Sequence, residues 1–311
     1  MWRVDRSAWT ALLGLLLIAG ALQAQPGLSL VVGGDAGVEA APLLHSTVRI
    51  EVAGPLARVA VEQRFRNTQP GWVEGVYRFP LPADAAIDSL YIEYAGREIR
   101  GEIREREAAQ GVYRAAREAG QGAALVEQQR ANLFTVRVAN IPPDETVRVR
   151  LGYRQELAFA DGVFALRFPT VVAPRYQPPG EGPRALAEAA AISPPVEVGE
   201  GPLPAFSLQV NLDSGLPLQQ LHSPSHRVEI EALAAGRQAV RLAAGAADAD
   251  RDFILEWRPQ PAAVPAAALF AERHAGDEYG LLLLMPPAPA QVAAPPRELI
   301  LVVDTSGSMH G

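Results

Sequence analysis

The 311-residue sequence contains no cysteine and no lysine; all 28 of its basic residues are arginine. Without thiols there is no disulfide, no thiolate metal site and no thiol redox chemistry. The net charge is only −7, which does not point to nucleic acid. Catalytic motifs are missing as well. The five histidines, His45, His222, His226, His274 and His310, lie in no HExxH context, and Pro224 prevents a helix from aligning His222 with His226. No glycine-rich phosphate loop follows a strand before residue 300. Ser308 is flanked at two residues' distance by Ser306 and His310, where a nucleophile elbow requires glycines. Hydrolase readings therefore lose most of their support.

What is present suits β structure. Hydrophobic residues make up 49% of the chain, with 27 Pro, 27 Gly and only 6% aromatics, a balance that favours short strands and turns over long helices. A chain of this length buries enough apolar surface to need no disulfide staples. Residues 1–24 read as a secretory signal peptide: Arg3 and Arg6 precede the apolar run ALLGLLLIAGAL, which ends near the small residue Ala24. An uncleaved anchor is the alternative, although the run falls short of the roughly 20 apolar residues of a spanning helix. Export together with the lack of cysteine predicts a bacterial setting, periplasmic or at the cell surface and membrane-associated.

Residues 25–40 are glycine-rich and expected to be loose. From residue 41 to 176 the pattern has a period of two: Val48, Ile50 and Val52, then Val59, Val61 and Phe65, mark half-buried strands. REREAAQGVYRAAREAG interrupts them with a helical spacing of Ala109, Val112, Tyr113 and Ala116, and Gly120 stands at the C-cap position. The segment from Asn132 to Leu157 is expected to be a hairpin that pairs Phe134, Val136 and Val138 with Val147, Val149, Leu151 and Tyr153. Together these predict a β-sandwich. A Pro/Gly-rich linker (177–201), a second, smaller antiparallel block (202–258) and an Ala/Pro-rich connector (259–296) follow; within the connector, YGLLLLMPP is a candidate strand.

Residues 297–311 differ in kind. Leu299–Val303 is apolar enough for a strand buried on both faces, and Asp304, Ser306 and Ser308 follow at alternating positions. One carboxylate and two hydroxyls are hard oxygen donors, suited to Mg²⁺ or another divalent cation. A polar turn without metal is the plain alternative. An aspartic-type protease loop would need glycine where Ser306 stands.

LILVVDTSGSM resembles the first strand and metal-site loop of von Willebrand factor type A domains, with the pattern Asp, any, Ser, any, Ser. VRIEVAGPLARVAVEQRFRN, WVEGVYRFPLPADAAIDSLYIEYAG and LVEQQRANLFTVRVANIPPDETVRVRLGYRQEL resemble a VIT domain, the vault and inter-alpha-trypsin module. The order of the two is similar to inter-alpha-trypsin inhibitor heavy chains. FPLPADAAID, LVEQQRANLFTVRVANIPP and PRY are similar to marine proteobacterial sortase target proteins. The resemblance implies a mainly β fold: an antiparallel β-sandwich VIT domain with one amphipathic helix, a second smaller β-rich block and the truncated first strand of an α/β type A domain. It implies cation-dependent adhesion or protein interaction through Asp304, Ser306 and Ser308, with the remaining ligands expected beyond Gly311. The implied partners are a protein or extracellular-matrix ligand bearing a carboxylate, and a sortase that anchors the chain. A scaffold acting through the VIT domain alone is the other reading.

Overall fold

The computed structural model describes residues 25–26, 29–34, 37–82, 84–101, 123–130, 133–172, 205–233 and 236–287. In chain order the first strands are β1 (Gln25–Pro26), β2 (Ser29–Gly34), β3 (Gly37–Ala41), β4 (Leu43–Ala53), β5 (Leu56–Arg66), β6 (Val73–Pro80), β7 (Ala86–Tyr94), β8 (Arg97–Arg100), β9 (Ala123–Arg130), β10 (Leu133–Ile141) and β11 (Thr146–Glu156). They are followed by β12 (Ala158–Ala160), β13 (Val163–Phe168), β14 (Val171–Val172), β15 (Ala205–Asp213), β16 (Leu218–His222), β17 (Val228–Ala232), β18 (Gln238–Leu242), β19 (Ala247–Asp248), β20 (Phe253–Pro259), β21 (Ala266–His274) and β22 (Asp277–Met285). The fold is mainly β, as the composition predicts.

A nine-stranded sheet in the order β17-β18-β15-β4-β5-β11-β7-β8, with β19 beside β15, forms the spine. Its register aligns apolar side chains in rows across strands: Val240, Val210, Ile50, Val59 and Tyr153 form one, and Leu208, Val48, Val61, Leu151 and Leu90 another. All ten are buried. Period-two alternation thus gives the sheet one dry face and one wet face.

Two smaller sheets cover the dry face. The five-stranded sheet β3-β2-β6-β10-β9 packs through Tyr77, Phe79, Val136 and Val138. Phe65 meets Tyr77 edge-on at 5.8 Å, Tyr77 Oη donates to Gln63 Oε1 at 2.7 Å, and Tyr94 Oη donates to the Ala139 carbonyl at 2.6 Å, so these two tyrosine hydroxyls are satisfied inside the sandwich. The four-stranded sheet β12-β13-β20-β16 contributes Phe164, Leu166, Phe168, Phe253, Leu255 and Trp257, and Phe168 reaches Phe206 of β15 at 6.1 Å.

Four expectations change. Residues 25–40 are not wholly loose: β2 pairs antiparallel with β6 from Ser29↔Arg78 to Gly33↔Glu74, because the β6 edge supplies unpaired backbone groups. The hairpin expected at 132–157 is an arch. β10 pairs with β6 and β9, whereas β11 pairs with β5 and β7, so the same alternating residues face each other across the sandwich and not along a ladder. Pro142 and Pro143 donate no backbone hydrogen bond. Asn67, fully buried, donates to the carbonyls of Pro142 (2.7 Å) and Ile141 (3.4 Å), which fixes the crossing.

The block at 202–258 is not a separate antiparallel unit. β15 pairs in parallel with β4 from Ser207↔Thr47 to Asp213↔Ala53, and β20 pairs with β13, so two sheets and one core contain strands of both blocks. The stretch at 259–296, read as a connector, contains the β21-β22 hairpin, turned at Ala275 and Gly276, both with positive φ. The helix expected near 104–119, the signal peptide and the type A strand lie outside the described residues.

Candidate functional site

Asp304, Ser306 and Ser308 also lie outside the described residues. Among the described residues, no group of three or more His, Asp or Glu is placed to hold a metal ion. The described molecule instead presents two contrasting surfaces.

The wet face of the nine-stranded sheet carries a ladder of ion pairs. Arg64 binds Glu62 at 3.0 Å, and Arg148 reaches Glu62 at 3.6 Å and Glu93 at 3.1 Å. Arg150 bridges Glu93 and Glu98, while Arg58 and Arg154 converge on Asp88, each at 3.3 Å. The Tyr91 ring lies under Arg150 at 5.1 Å and Arg100 at 5.8 Å. Burial pushes the Glu62 carboxyl up, but the Arg64 hydrogen bond and the Arg148 and Arg49 charges outweigh it and hold it below its ordinary value. Where the β7-β8 turn opens a groove of about 490 Å³, Glu93, Glu98 and Glu145 are all engaged, the last by the Ala95 amide at 2.9 Å. Charges paired in this way form a solvated face.

Hydroxyl–imidazole contacts occur at Thr47–His45 (2.6 Å) and Ser225–His226 (2.8 Å). Ser225 Oγ already accepts the Ile254 amide at 2.8 Å, and His226 Nε2 is buried without a partner between Phe206 and Phe253. This arrangement pins a turn and does not prepare a nucleophile, which would need its base oriented by a third group.

The second surface is the β21-β22 hairpin. Its inner face is closely seated: Ala268 is buried, and Phe270 lies so near Gly54 and Gly215 that a Cβ at either would fall 2.7 or 2.5 Å from its ring. Both glycines also have positive φ, so two turns are shaped to receive that ring. Leu283 and Met285 pack against the core from the second strand. The outer face is bare. Leu269 (72% exposed) stands opposite Leu282 (58%), and Leu284 (67%) follows two residues along. Grooves of about 630 and 640 Å³ flank the hairpin base and share Phe159, Met285 and Pro286. The strand expected at YGLLLLM has as its partner ALFAERH, which the sequence pattern did not single out; the one local signal is the Ala275-Gly276 turn between them.

The class is thus a layered β-sandwich with a projecting hairpin. Residues 43–153 match the family model of the vault protein inter-alpha-trypsin (VIT) domain, the segment from β4 to the core of β11. The chain is 29% identical over 283 residues to the mouse protein mono-ADP-ribosyltransferase PARP4, covering 89% of this chain and 14% of that protein. It is 26% identical over 285 residues to human von Willebrand factor A domain-containing protein 5A, covering 88% of this chain and 36% of that one. A rat von Willebrand factor A domain-containing protein 5A is 30% identical over 142 residues, 45% of this chain and 17% of its own length. The chain therefore spans well under two thirds of each relative.

Proposed function

We propose that this chain belongs to an exported, surface-associated protein that is not an enzyme and that binds a protein partner through a type A cation site opened by Asp304, Ser306 and Ser308. The observation that carries the reading is the alignment to von Willebrand factor A domain-containing protein 5A, which extends beyond the VIT match over 88% of the chain. The three residues are hard oxygen donors that fit Mg²⁺ or another divalent cation, with further ligands supplied beyond Gly311. The bound cation would supply an open position for a carboxylate of the ligand. The transferase activity in the PARP4 name belongs to a protein of which this chain spans 14%, and is not transferred. Sortase anchoring is the finer form of the proposal; it rests on the resemblance of FPLPADAAID, LVEQQRANLFTVRVANIPP and PRY.

Calorimetry on the chain carried through its type A fold tests the reading. Stoichiometric Mg²⁺ binding that Asp304→Ala abolishes, together with Mg²⁺-dependent capture of a protein ligand, is expected. Capture unchanged by chelator and by Asp304→Ala would overturn it in favour of a scaffold acting through the VIT module. The 311-residue chain alone should bind Mg²⁺ weakly, because ordering each residue of the ligand loop costs about 1–2 kcal/mol.

A further inference from the structure

At its base the inner face of the β21-β22 hairpin packs against the sandwich through Ala268, Phe270, Leu283 and Met285, while Glu272 and Tyr279 toward the tip are exposed; the outer face has no cover among the described residues. Leu269 and Leu282 are register partners and Leu284 is their diagonal neighbour, so three leucines, each more than half exposed, make one patch. Scattered apolar residues on a surface need no explanation, but a contiguous patch marks a contact surface. The patch is bounded at the tip by the Arg273–Glu278 ion pair and meets, at the base, the groove lined by Phe159 and Pro286. Beneath it the hairpin is anchored through Phe270 in the Gly54 and Gly215 turns, so the patch is presented on a fixed support.

We propose that this outer face is the docking surface for the continuation of the same chain, the fold opened by Leu299–Val303; the inference rests on reading that segment as the start of a type A domain. Three observations favour this occupant. Met285 and Pro286, where the chain leaves the hairpin, line both grooves at the patch border. Leu299 comes 12 residues after Pro287, a reach of at most about 40 Å. That is comparable to the nine-residue hairpin strands, which are about 30 Å long. A tether this short keeps the following fold beside the patch at an effective concentration of order millimolar. The patch itself carries no charge, so it suits an apolar contact within the chain and not a phosphate-bearing or acidic partner. The hairpin then acts as a bracket that sets the orientation of the cation site relative to the sandwich.

Residues 1–311 contain no cysteine, so a single cysteine placed in them is the only thiol of that stretch. In the full chain, Leu282→Cys should react with a maleimide at least tenfold more slowly than Glu229→Cys, which is exposed on β17. A photoreactive maleimide attached to Leu282→Cys should give adducts within one chain that map to residues from Leu299 onward. Equal labelling rates, or adducts confined to the sandwich, would overturn the proposal. Adducts at twice the chain mass, with protection lost on dilution, would assign the face to a second copy and overturn it too. Asp304→Ala separates the two readings. Protection that persists when Mg²⁺ binding is lost supports docking apart from the metal, whereas Mg²⁺ binding with equal labelling sinks docking and leaves the cation reading standing. A melting curve on each variant confirms that these exposed substitutions leave the fold intact.

Discussion

The wet face of the nine-stranded sheet and the outer face of the β21-β22 hairpin obey the same period-two rule, with one side of each strand dry and the other outside. They differ in what is placed outside. On the sheet, Glu62, Glu93, Glu98 and Asp88 meet Arg64, Arg148, Arg150, Arg58 and Arg154 in pairs, and the surface is finished. On the hairpin, Leu269, Leu282 and Leu284 stand in the equivalent outward positions with nothing over them among the described residues. An outward strand face of paired charges is at home in water; one with three adjacent leucines is where the docking contact is proposed.

The sharpest contrast comes from turning to the dry side. Phe206→Ala, on the buried face of β15, should cost about 3–5 kcal/mol, measured by urea denaturation. Because β15 shares its sheet with β4, the loss should appear as one transition for both blocks; two separate transitions would show that they are independent. Asn67→Ala should cost about 1–3 kcal/mol by leaving the Ile141 and Pro142 carbonyls of the arch without their donor.

His226 gives a dependence on pH. Burial, then the Arg251 charge, lowers its pKa from the ordinary value of 6.5, with Asp250 opposing. The unfolded chain therefore binds the proton more readily, so stability is full above pH of about 6.5 and declines as pH falls toward the lowered value. His226→Gln should flatten that decline in denaturation curves recorded between pH 7 and 5. The smallest effect belongs to the wet face. Glu93→Gln should cost less than about 1 kcal/mol, and 1 M salt should erase most of the difference, since half-exposed pairs are well screened. A large, salt-resistant loss there would break the comparison by showing that the ladder is more than a solvated face.

Much of the sandwich was legible because alternation reports directly on burial. Val48, Ile50, Val52, Val59, Val61 and Phe65 are all buried as their spacing predicts. Partner choice was not legible. The residues from Phe134 to Tyr153 alternate identically whether they form a hairpin or an arch, and the decision lies with Asn67, far away in sequence and invisible to any local pattern. The parallel seam between β4 and β15 was hidden for the same reason. The hairpin at 266–285 was obscured by its alanines and by the prolines that flank it; the weak strand propensity of alanine is overridden here by the seat that Gly54 and Gly215 provide for Phe270. Asp304, Ser306 and Ser308 lie outside the described residues, and their reading as an oxygen-donor set rests on residue type, spacing and resemblance.

The seam between β4 and β15 also carries a clock. Ser207 bonds Thr47 across 160 residues of chain. At synthesis rates of about 5–20 residues per second, β4 is complete roughly 10–30 seconds before its neighbour exists. During that interval its edge offers unpaired backbone groups to any passing strand. Arg49 and Glu51, outward residues of β4, place their charges on that edge. In the finished sheet the Glu51 carboxylate accepts the Asn211 side-chain amide of β15 at 2.6 Å; in the nascent chain the same charges guard the seam until the strand that closes it has been made.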